Sequence, residues 1–384
     1  MRMNKKFRVV LFLVIAAGTI TWWYGRPYPS KEILTSRQEV NVKNMSKDMQ
    51  TRCVGRYLID LPASFSLYRN SQQLEDDDWV ANISMPDDWW KTYIATKRMY
   101  YPAFEQFIQR RQKELEKETV SNPLDGPYLK KIWLLPEGLK GIIFERNESF
   151  LTPDSTRIIE AYIYTNGVAI KLQKESANDS APRYKKDRER RGRETNFIPR
   201  DINNIKKLLS RITGRQEDEI PTMPGSCIAD AFIATDKYVQ ERENIHSNYT
   251  SDIIRGWMIS LNMDNFTKGS DGILERAGDI SRDVSRMNGY IVREGAFDTS
   301  GLYVEEMLLM APEPSNNRAR YSFGLYVNEK TASYKSPGLT MELDNISQIP
   351  RSYTQEERII YTQEEIMTFW DNITHTIRLR PNAL

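Results

Sequence analysis

Two short stretches of similar design divide this chain, Cys53-Val-Gly-Arg-Tyr-Leu-Ile-Asp60 and Cys227-Ile-Ala-Asp-Ala-Phe-Ile233. Each begins with a cysteine, continues with a branched apolar residue and leads into an apolar run that is typical of a β-strand. They contain the only two cysteines among the 384 residues. The two stretches therefore predict a chain of two similar halves, each opened by one of them.

Apolar runs with the character of strands recur through both halves, and several are bounded by Gly or Pro. In the first half we expect strands at 57–61, 79–85, 131–135, 142–146, 157–164 and 168–173. In the second half we expect them at 228–233, 253–263, 290–293, 302–310, 320–327 and 339–343. Strands that follow one another in this way favour a mostly antiparallel sheet in each half.

Each half also contains two helical patterns. One is inserted among the strands, beginning near Pro102 in the first half and covering 271–286 in the second. The other closes the half, at 201–212 and again from Thr362, where Thr362 and Glu365 form a capping box. The sequence thus predicts an α+β fold of two similar domains, each a mostly antiparallel β-sheet with one inserted and one terminal helix.

The N-terminus has the order of an export signal, because basic residues precede an apolar run at 9–24. Residues 1–26 are expected to be a signal anchor or a signal peptide, and the polar residues 27–48 a tether. The run ends in Trp22-Trp23-Tyr24, which favours an anchor retained in the inner membrane, with cleavage as the alternative. In a Gram-negative bacterium the rest of the chain would then lie in the periplasm.

The exported part is longer than one hydrophobic core usually organises, so two domains are expected. The predicted boundaries are 49–214 for an N-terminal α+β domain and 226–384 for a C-terminal one. Between them, the linker 215–225 is charged and contains Pro221 and Pro224. The net charge is only +2, so nothing in the composition indicates a nucleic-acid partner.

Export also bears on the cysteines, because an oxidising compartment permits disulfides. Cys53 and Cys227 are expected to pair. The alternative is two buried free thiols, since a chain of this size does not require a bridge. Two isolated cysteines without a nearby histidine lack the ligands that zinc needs, so we predict no metal and no cofactor.

Residues suited to catalysis are few. His246 is interpreted as a loop residue and His375 as a residue at the end of the terminal helix. The sequence contains no Gly-x-Ser-x-Gly, no His-Glu-x-x-His and no glycine motif that binds phosphate. We therefore expect a protein that is not an enzyme, with a hydrolase of unrecognised site as an alternative.

Three surface features are candidates for partner binding or for ordinary structural roles. Large aromatics among acidic residues suit an interface, although burial explains them equally well, and they are Trp79, Trp89 and Trp90. A basic run at 183–193 is either a solvated loop or an arm for an acidic partner or anionic lipid, and its candidates are Arg188, Arg190 and Arg191. Glu305 and Glu306 are adjacent in a predicted strand, so one of them is expected to be buried and paired.

Four separated segments carry a family resemblance: 53–62, 224–228, Arg293 with Gly301-x-x-x-Glu305-Glu306, and Phe369-Trp370-Asp371 with the ending Ile377-Arg-Leu-Arg-Pro381. Together the chain resembles the immunity proteins of type VI secretion phospholipase effectors. The resemblance implies a periplasmic two-domain protein that binds a toxic lipase one-to-one and neutralises it. It also implies that the two domains grip the effector like a claw, restricting its lid or its active-site entrance.

The resemblance supplies no catalytic residues, and the N-terminus departs from relatives with a cleaved or lipid-modified signal. No cysteine lies near the apolar run, so a lipid-modified signal is excluded here. The alternative to the immunity hypothesis is a membrane-anchored envelope scaffold or binding module without a toxin partner. The genes next to this one would distinguish the two hypotheses.

Overall fold

The computed structural model describes residues 28–69, 74, 78–88, 90–251, 254, 256–314, 317–345 and 361–384. The expected signal or anchor at 1–26, with its membrane segment 9–24, lies outside these residues, and so does Trp89. Among the described residues, no helix is long and apolar enough to cross a membrane.

The described residues of the first half form ten strands, with these bounds: β1 (Met49–Val54), β2 (Tyr57–Pro62), β3 (Phe65–Leu67), β4 (Ala81–Ser84), β5 (Thr92–Arg98), β6 (Leu129–Trp133), β7 (Lys140–Asn147), β8 (Thr156–Thr165), β9 (Val168–Ala177) and β10 (Ile212–Gly214). The second half contributes β11 (Gly225–Ile228), β12 (Ala231–Ala234), β13 (Arg242–Ser251), β14 (Trp257–Asp264), β15 (Tyr290–Thr299), β16 (Leu302–Pro312), β17 (Ala319–Val327), β18 (Gly338–Asn345) and β19 (Arg378–Leu379). Every strand pair formed by the described residues is antiparallel.

The α-helices of the described chain are α1 (Ser36–Met45), α2 (Tyr101–Lys117), α3 (Lys185–Arg191), α4 (Ile198–Leu209), α5 (Ala277–Arg286) and α6 (Gln363–Thr374). Inserted helices α2 and α5 and terminal helices α4 and α6 confirm the predicted arrangement of each half. The capping box before α6 is also confirmed, because Thr362 accepts from the Glu365 N–H and Glu365 accepts from the Thr362 N–H.

One sheet of 13 strands runs through both halves, in the order β15-β16-β17-β18-β14-β13-β4-β5-β9-β8-β7-β6, with β3 also paired to β13. The halves meet where β13 pairs with β4, opposing Ile245 to Ala81 and Arg242 to Ser84. The largest apolar cluster likewise contains residues of both halves, among them Ile94 and Ile259. The two halves therefore share a sheet and a core.

The N-terminal segment packs on the second half instead of hanging as an extended tether. Helix α1 lies beside α6, where Gln38 Nε2 donates to Thr362 Oγ1 over 2.9 Å and Asn41 Nδ2 to Glu365 Oε1 over 2.7 Å. Ahead of it, the Tyr28 hydroxyl donates to Glu306 over 2.7 Å. Residues 28–45 are thus part of the folded body.

The C-terminal segment, in turn, packs on the first half. Strand β19 pairs with β2 of the first half, in a sheet ordered β1-β2-β19. Beyond it, Arg380 is buried and donates to the carbonyls of Pro221, Met223 and Gly225, which lie in or beside the linker. The exchanged chain ends hold each half against the other.

A disulfide between Cys53 and Cys227 links the two halves at this junction, with the two Cα atoms 5.8 Å apart. Beside it, Gly55 and Cys227 exchange two backbone hydrogen bonds of 2.8 Å. Gly55 has φ +56°, and a Cβ there would stand 2.8 Å from the Met263 side chain. The turn after Cys53 therefore requires glycine, for its backbone angle and for its size.

Candidate partner-binding surface

The two described tryptophans among the candidates are half-buried within the first half. The Trp79 ring lies 5.4 Å from the Tyr93 ring, with Lys171 Nζ 4.8 Å from its centre. The Trp90 ring packs edge-on against the Phe197 ring, with ring centres 5.7 Å apart. The Trp90 backbone carbonyl accepts a hydrogen bond from Lys174 Nζ. Each ring uses part of its surface for packing inside the first half.

The basic run forms α3 with a 3₁₀ turn before it, and much of its charge is bound locally. Arg188 donates to the carbonyls of Asp179 and Ala181, and Arg191 pairs with the Asp179 carboxylate. By contrast the Arg190 side chain is 80% exposed and forms a surface ion pair of 3.0 Å with Asp187, three residues earlier in the helix. Arg190 is the most accessible of the three arginine candidates.

An apolar surface next to this helix was not predicted. Leu124, Phe150 and Leu151 are 74%, 51% and 70% exposed. Arg183 fixes this region to the basic run, because it donates to the Leu124 carbonyl and pairs with Asp125 at 2.6 Å. Two adjacent apolar residues in the turn Ser149-Phe-Leu-Thr152 were the available sequence signal.

A second unpredicted feature lies where the halves meet. Arg69, just after β3, places Nε and Nη2 2.9 and 2.8 Å from the two oxygens of Asp230. Arg98, at the end of β5, places Nε 2.7 Å from the same carboxylate. Burial alone would raise the pKa of Asp230, but the hydrogen bonds and charges of Arg69 and Arg98 outweigh it and lower the pKa below its usual value.

These two arginines face a groove of about 560 Å³, which we call the seam groove. Its walls come from β1, from the ends of the first-half segments that carry the two arginines, and from the linker. It is lined by Gln50, Thr51, Arg52, Arg69, Arg98, Gln216, Glu217, Asp218 and Ile220. Asp230 lies behind the arginines with a fully buried side chain.

The residues of the family resemblance converge in the second half on one buried carboxylate. Glu306 is fully buried and accepts hydrogen bonds from Arg293 Nε at 2.9 Å and from Trp370 Nε1 at 2.7 Å, besides the one from Tyr28. Arg293 also pairs with Asp371. The prediction that one of the two adjacent glutamates is buried and paired is confirmed, and it is Glu306.

The two histidines lie on different elements of the second half. His246 lies on β13, in contrast to the predicted loop, and burial lowers its pKa while the charge of Asp78 opposes the shift. His375 caps α6 as expected and stacks on Phe297 with ring centres 4.7 Å apart. The described residues also contain no group of three or more His, Cys, Asp or Glu side chains placed to hold a metal ion.

Comparison with known proteins assigns both halves to one family. Residues 50–215 match the N-terminal domain of Tle cognate immunity protein 4, and residues 219–382 match its C-terminal domain. No curated protein sequence matches the chain.

Solved structures share the fold at low sequence identity. The apo immunity protein TplEi of the type VI secretion system of Pseudomonas aeruginosa is 19% identical, with a TM-score of 0.63 over 88% of this chain and 98% of that one. The Tle4–Tli4 complex contains a chain that is 20% identical, with a TM-score of 0.63 over 87% and 98%. TplEi with bound "L" peptide is 17% identical, with a TM-score of 0.59 over 88% and 99%. With both domains matched in order, this chain belongs to the Tle cognate immunity protein 4 family.

Proposed function

We propose that this protein is an immunity protein that binds and neutralises a cognate type VI secretion phospholipase effector. The observation that carries the proposal is the match of both halves, in order, to the two domains of Tle cognate immunity protein 4. A structural relative, Tli4, has been solved in complex with Tle4. By this analogy the chain would form a one-to-one complex with its own effector.

The proposed mode of action is occlusion of the effector's active site or restriction of its lid, without turnover by the immunity protein itself. Such inhibition requires a complementary surface, which in stable complexes buries about 1,200–2,000 Å² in total. A surface that is rigid before binding loses less conformational entropy in the complex. The shared sheet, the Cys53–Cys227 bridge and the exchanged chain ends supply that rigidity at the junction of the halves.

The proposed location is the periplasm, after export by residues 1–26 and with residues 9–24 held in the inner membrane. A disulfide between Cys53 and Cys227 suits this location, because an oxidising compartment maintains such bonds. The proposed domain boundaries remain 49–214 and 226–384. The proposed contact residues are Trp79, Trp89, Trp90, Arg188, Arg190 and Arg191.

Mixing the full-length chain with the purified lipase encoded beside it tests the proposal. We expect a single complex on a sizing column and phospholipid hydrolysis that falls to zero at one equivalent. A lipase encoded elsewhere serves as the control and should retain its activity. Separate elution of the two proteins with undiminished hydrolysis would refute the proposal.

A further inference from the structure

We propose that an apolar corner of the second half rests on the bilayer that holds residues 9–24, so that the folded body has one fixed orientation on the membrane. We call this surface the exit corner, and it consists of Ile33, Met287 and Tyr290. The inference rests on the proposed location and goes beyond the proposed inhibition, because it assigns a second membrane contact to the folded body. It is carried by the place where the chain enters that body, by the exposed apolar side chains there and by the order of the sheet.

The chain enters the folded body at strand β15, on the edge of the sheet. Tyr28 is the first described residue and donates to the buried Glu306. Its ring packs on β15 so closely that a Cβ on Gly295 would come within 2.5 Å of it. The apolar run ends at residue 24, and the four residues from there to Tyr28 span at most about 14 Å when fully extended. With residues 9–24 in the bilayer, β15 is therefore close to the membrane surface.

Hydrogen bonds place the exit corner around the start of α6. The Tyr290 hydroxyl donates to Gln363 Oε1 over 3.1 Å. Met287 is the C-cap of α5, three residues before Tyr290. Gln38, five residues after Ile33, donates to the N-cap residue of α6 over 2.9 Å. The N-terminal segment and the turn after α5 therefore meet at the same helix end.

The side chains of the exit corner are apolar and open to solvent. Ile33, Met287 and Tyr290 are 94%, 57% and 47% exposed. Large apolar residues that are exposed together mark surfaces for a protein or a membrane. Tyrosine is enriched at the level of the lipid headgroups, and Trp22-Trp23-Tyr24 ends the apolar run with residues of the same kind. Under the proposed location, the lipid at those aromatics is the surface nearest to the exit corner.

Charge does not decide what the exit corner binds. The segment 28–37 carries Lys31 and Arg37, both of which are exposed. The opposing carboxylates are those of the half-buried Glu32 and of Glu364 on α6. Burial raises the pKa of Glu32, and the charge of Glu364 adds to that shift. These four groups leave no net charge, so contact with lipid depends on the apolar side chains.

The order of the sheet then sets the orientation of the folded body. Strand β15 is at one end of the 13-stranded sheet, and β6 is at the other end. With β15 beside the lipid, the first half extends away from the membrane. Leu134, the residue after β6, is 84% exposed and should contact only water. It supplies a control at the opposite end of the sheet.

Spin labels on the full-length protein test the inference. Ile33→Cys, Met287→Cys and Tyr290→Cys are labelled one at a time, in vesicles of phosphatidylethanolamine and phosphatidylglycerol. The native cysteines are bonded to each other, so only the introduced thiol reacts. Collision with a water-soluble nickel chelate reports the access of water to each label. Because lipid covers the exit corner, its three labels should collide at least about threefold less often than a label at Leu134→Cys.

A second variant separates docking of the corner from attachment by residues 9–24. Adding Ile33→Asp to the protein labelled at Met287→Cys should raise the nickel collisions about twofold, because a carboxylate is costly to place in lipid. The protein should still pellet with the vesicles. Collisions that stay low would contradict docking through apolar side chains. Thermal unfolding should be unchanged in every variant, because all of the substituted side chains are exposed.

The outcomes distinguish this inference from the proposals on which it is built. Protein that pellets with the vesicles but whose corner labels collide as often as the Leu134 label would overturn the inference alone. Protein that does not pellet would overturn it together with the proposed location. Inhibition of the lipase is measured in solution and does not require the exit corner, so its loss would instead refute the proposed function.

Discussion

Among the described residues, each half of the molecule has one sheet glutamate with no exposed surface, Glu160 and Glu306, but the two carboxylates are satisfied from different parts of the chain. Glu160 accepts from Arg111 Nε at 2.7 Å and Arg146 Nε at 2.8 Å, and from the Tyr162 hydroxyl at 2.6 Å. All of these donors belong to the first half, on α2, β7 and β8. The carboxylate of Glu160 is therefore satisfied entirely within the first half.

Glu306 accepts hydrogen bonds from three separate segments, one of them the neighbouring strand. Tyr28 comes from the N-terminal segment, Arg293 from β15 and Trp370 from the terminal helix. The Glu306 carboxylate thus binds Arg293 on the neighbouring strand and also residues from the N-terminal segment and the terminal helix. The comparison teaches that the second half, unlike the first, is completed by the N-terminal segment.

Removing the carboxylate of Glu160 or of Glu306 should cause the largest loss of stability. Glu160→Ala leaves the buried Arg146 without its carboxylate, and Glu306→Ala leaves Arg293 with Asp371 alone and the buried Trp370 N–H without its acceptor. Each change should lower the free energy of unfolding by about 3–5 kcal/mol. Urea denaturation measures the loss. Glu114→Ala is the control, because that side chain is 51% exposed and pairs with Arg110 and Arg111 only at the surface.

Hydrogen exchange distinguishes the two variants by location. Glu160→Ala should loosen α2, β7 and β8, whereas Glu306→Ala should loosen α1 and α6 together. An identical pattern in both variants would contradict the difference between the halves.

Opening the disulfide should have the next largest effect. The bridge spans 174 residues, so the Cys53→Ser, Cys227→Ser double variant gains considerable freedom when unfolded. We expect a loss of about 2–5 kcal/mol in the free energy of unfolding. Calorimetry should still show one transition, because the shared sheet also joins the halves. Two separate transitions would mean that the bridge is the main link.

Lowering the pH should reduce the stability of the first half, because Glu160 becomes protonated. Burial alone would raise the pKa of Glu160, but Arg111 and Arg146 outweigh it and hold the pKa below its usual value. A lowered pKa in the folded state stabilises the protein above the usual glutamate pKa of about 4.3. That contribution is lost as the pH falls from there toward the folded-state pKa. The unfolding free energy of Glu160→Gln should therefore fall less steeply below about pH 5, and equal slopes would count against this assignment.

Removing the Tyr28 hydroxyl should have a smaller effect that is confined to the chain ends. Tyr28→Phe keeps the ring on Gly295 and deletes one hydrogen bond to Glu306. We expect a loss of about 0.5–1.5 kcal/mol and faster proteolysis ahead of α1. Tyr100→Phe, at a side chain that is 85% exposed, is the control and should leave both measurements unchanged.

Charge reversal at Arg190 should have the smallest effect on the protein itself. Because Arg190 is highly exposed, Arg190→Glu should change the unfolding free energy by no more than about 0.5 kcal/mol. If α3 borders the effector interface, the reversal should slow association and alter its salt dependence while dissociation stays similar. Stopped-flow mixing measures both rates, and an unchanged association rate would remove α3 from the interface.

Local patterns predicted most individual elements of this fold. The capping box before α6 and the apolar period of α2 depend on neighbouring residues, and both are present as expected. Strand β13 was not predicted, because its buried positions include Glu243, Ser247 and Ser251 beside Ile245 and Tyr249. The alternation of buried and less buried positions along β13 is visible only in the structure.

Local sequence patterns also failed to predict the junction between the two halves, for a different reason. The run 228–233 reads as one strand, but Asp230 adopts φ +57° and turns it into the hairpin of β11 and β12. Arg69, Arg98 and Asp230 belong to no shared motif and meet only through pairing of distant strands. Neither the shared sheet nor the seam groove could therefore be inferred from sequence spacing.

Hydrogen exchange of the unmodified protein tests most directly whether the two halves form one body. The account predicts that amides of β13 and β4 at the junction exchange as slowly as those of β8 and β17 within the halves. Rapid exchange at β13 and β4, with β8 and β17 still protected, would show two hinged domains and contradict the account.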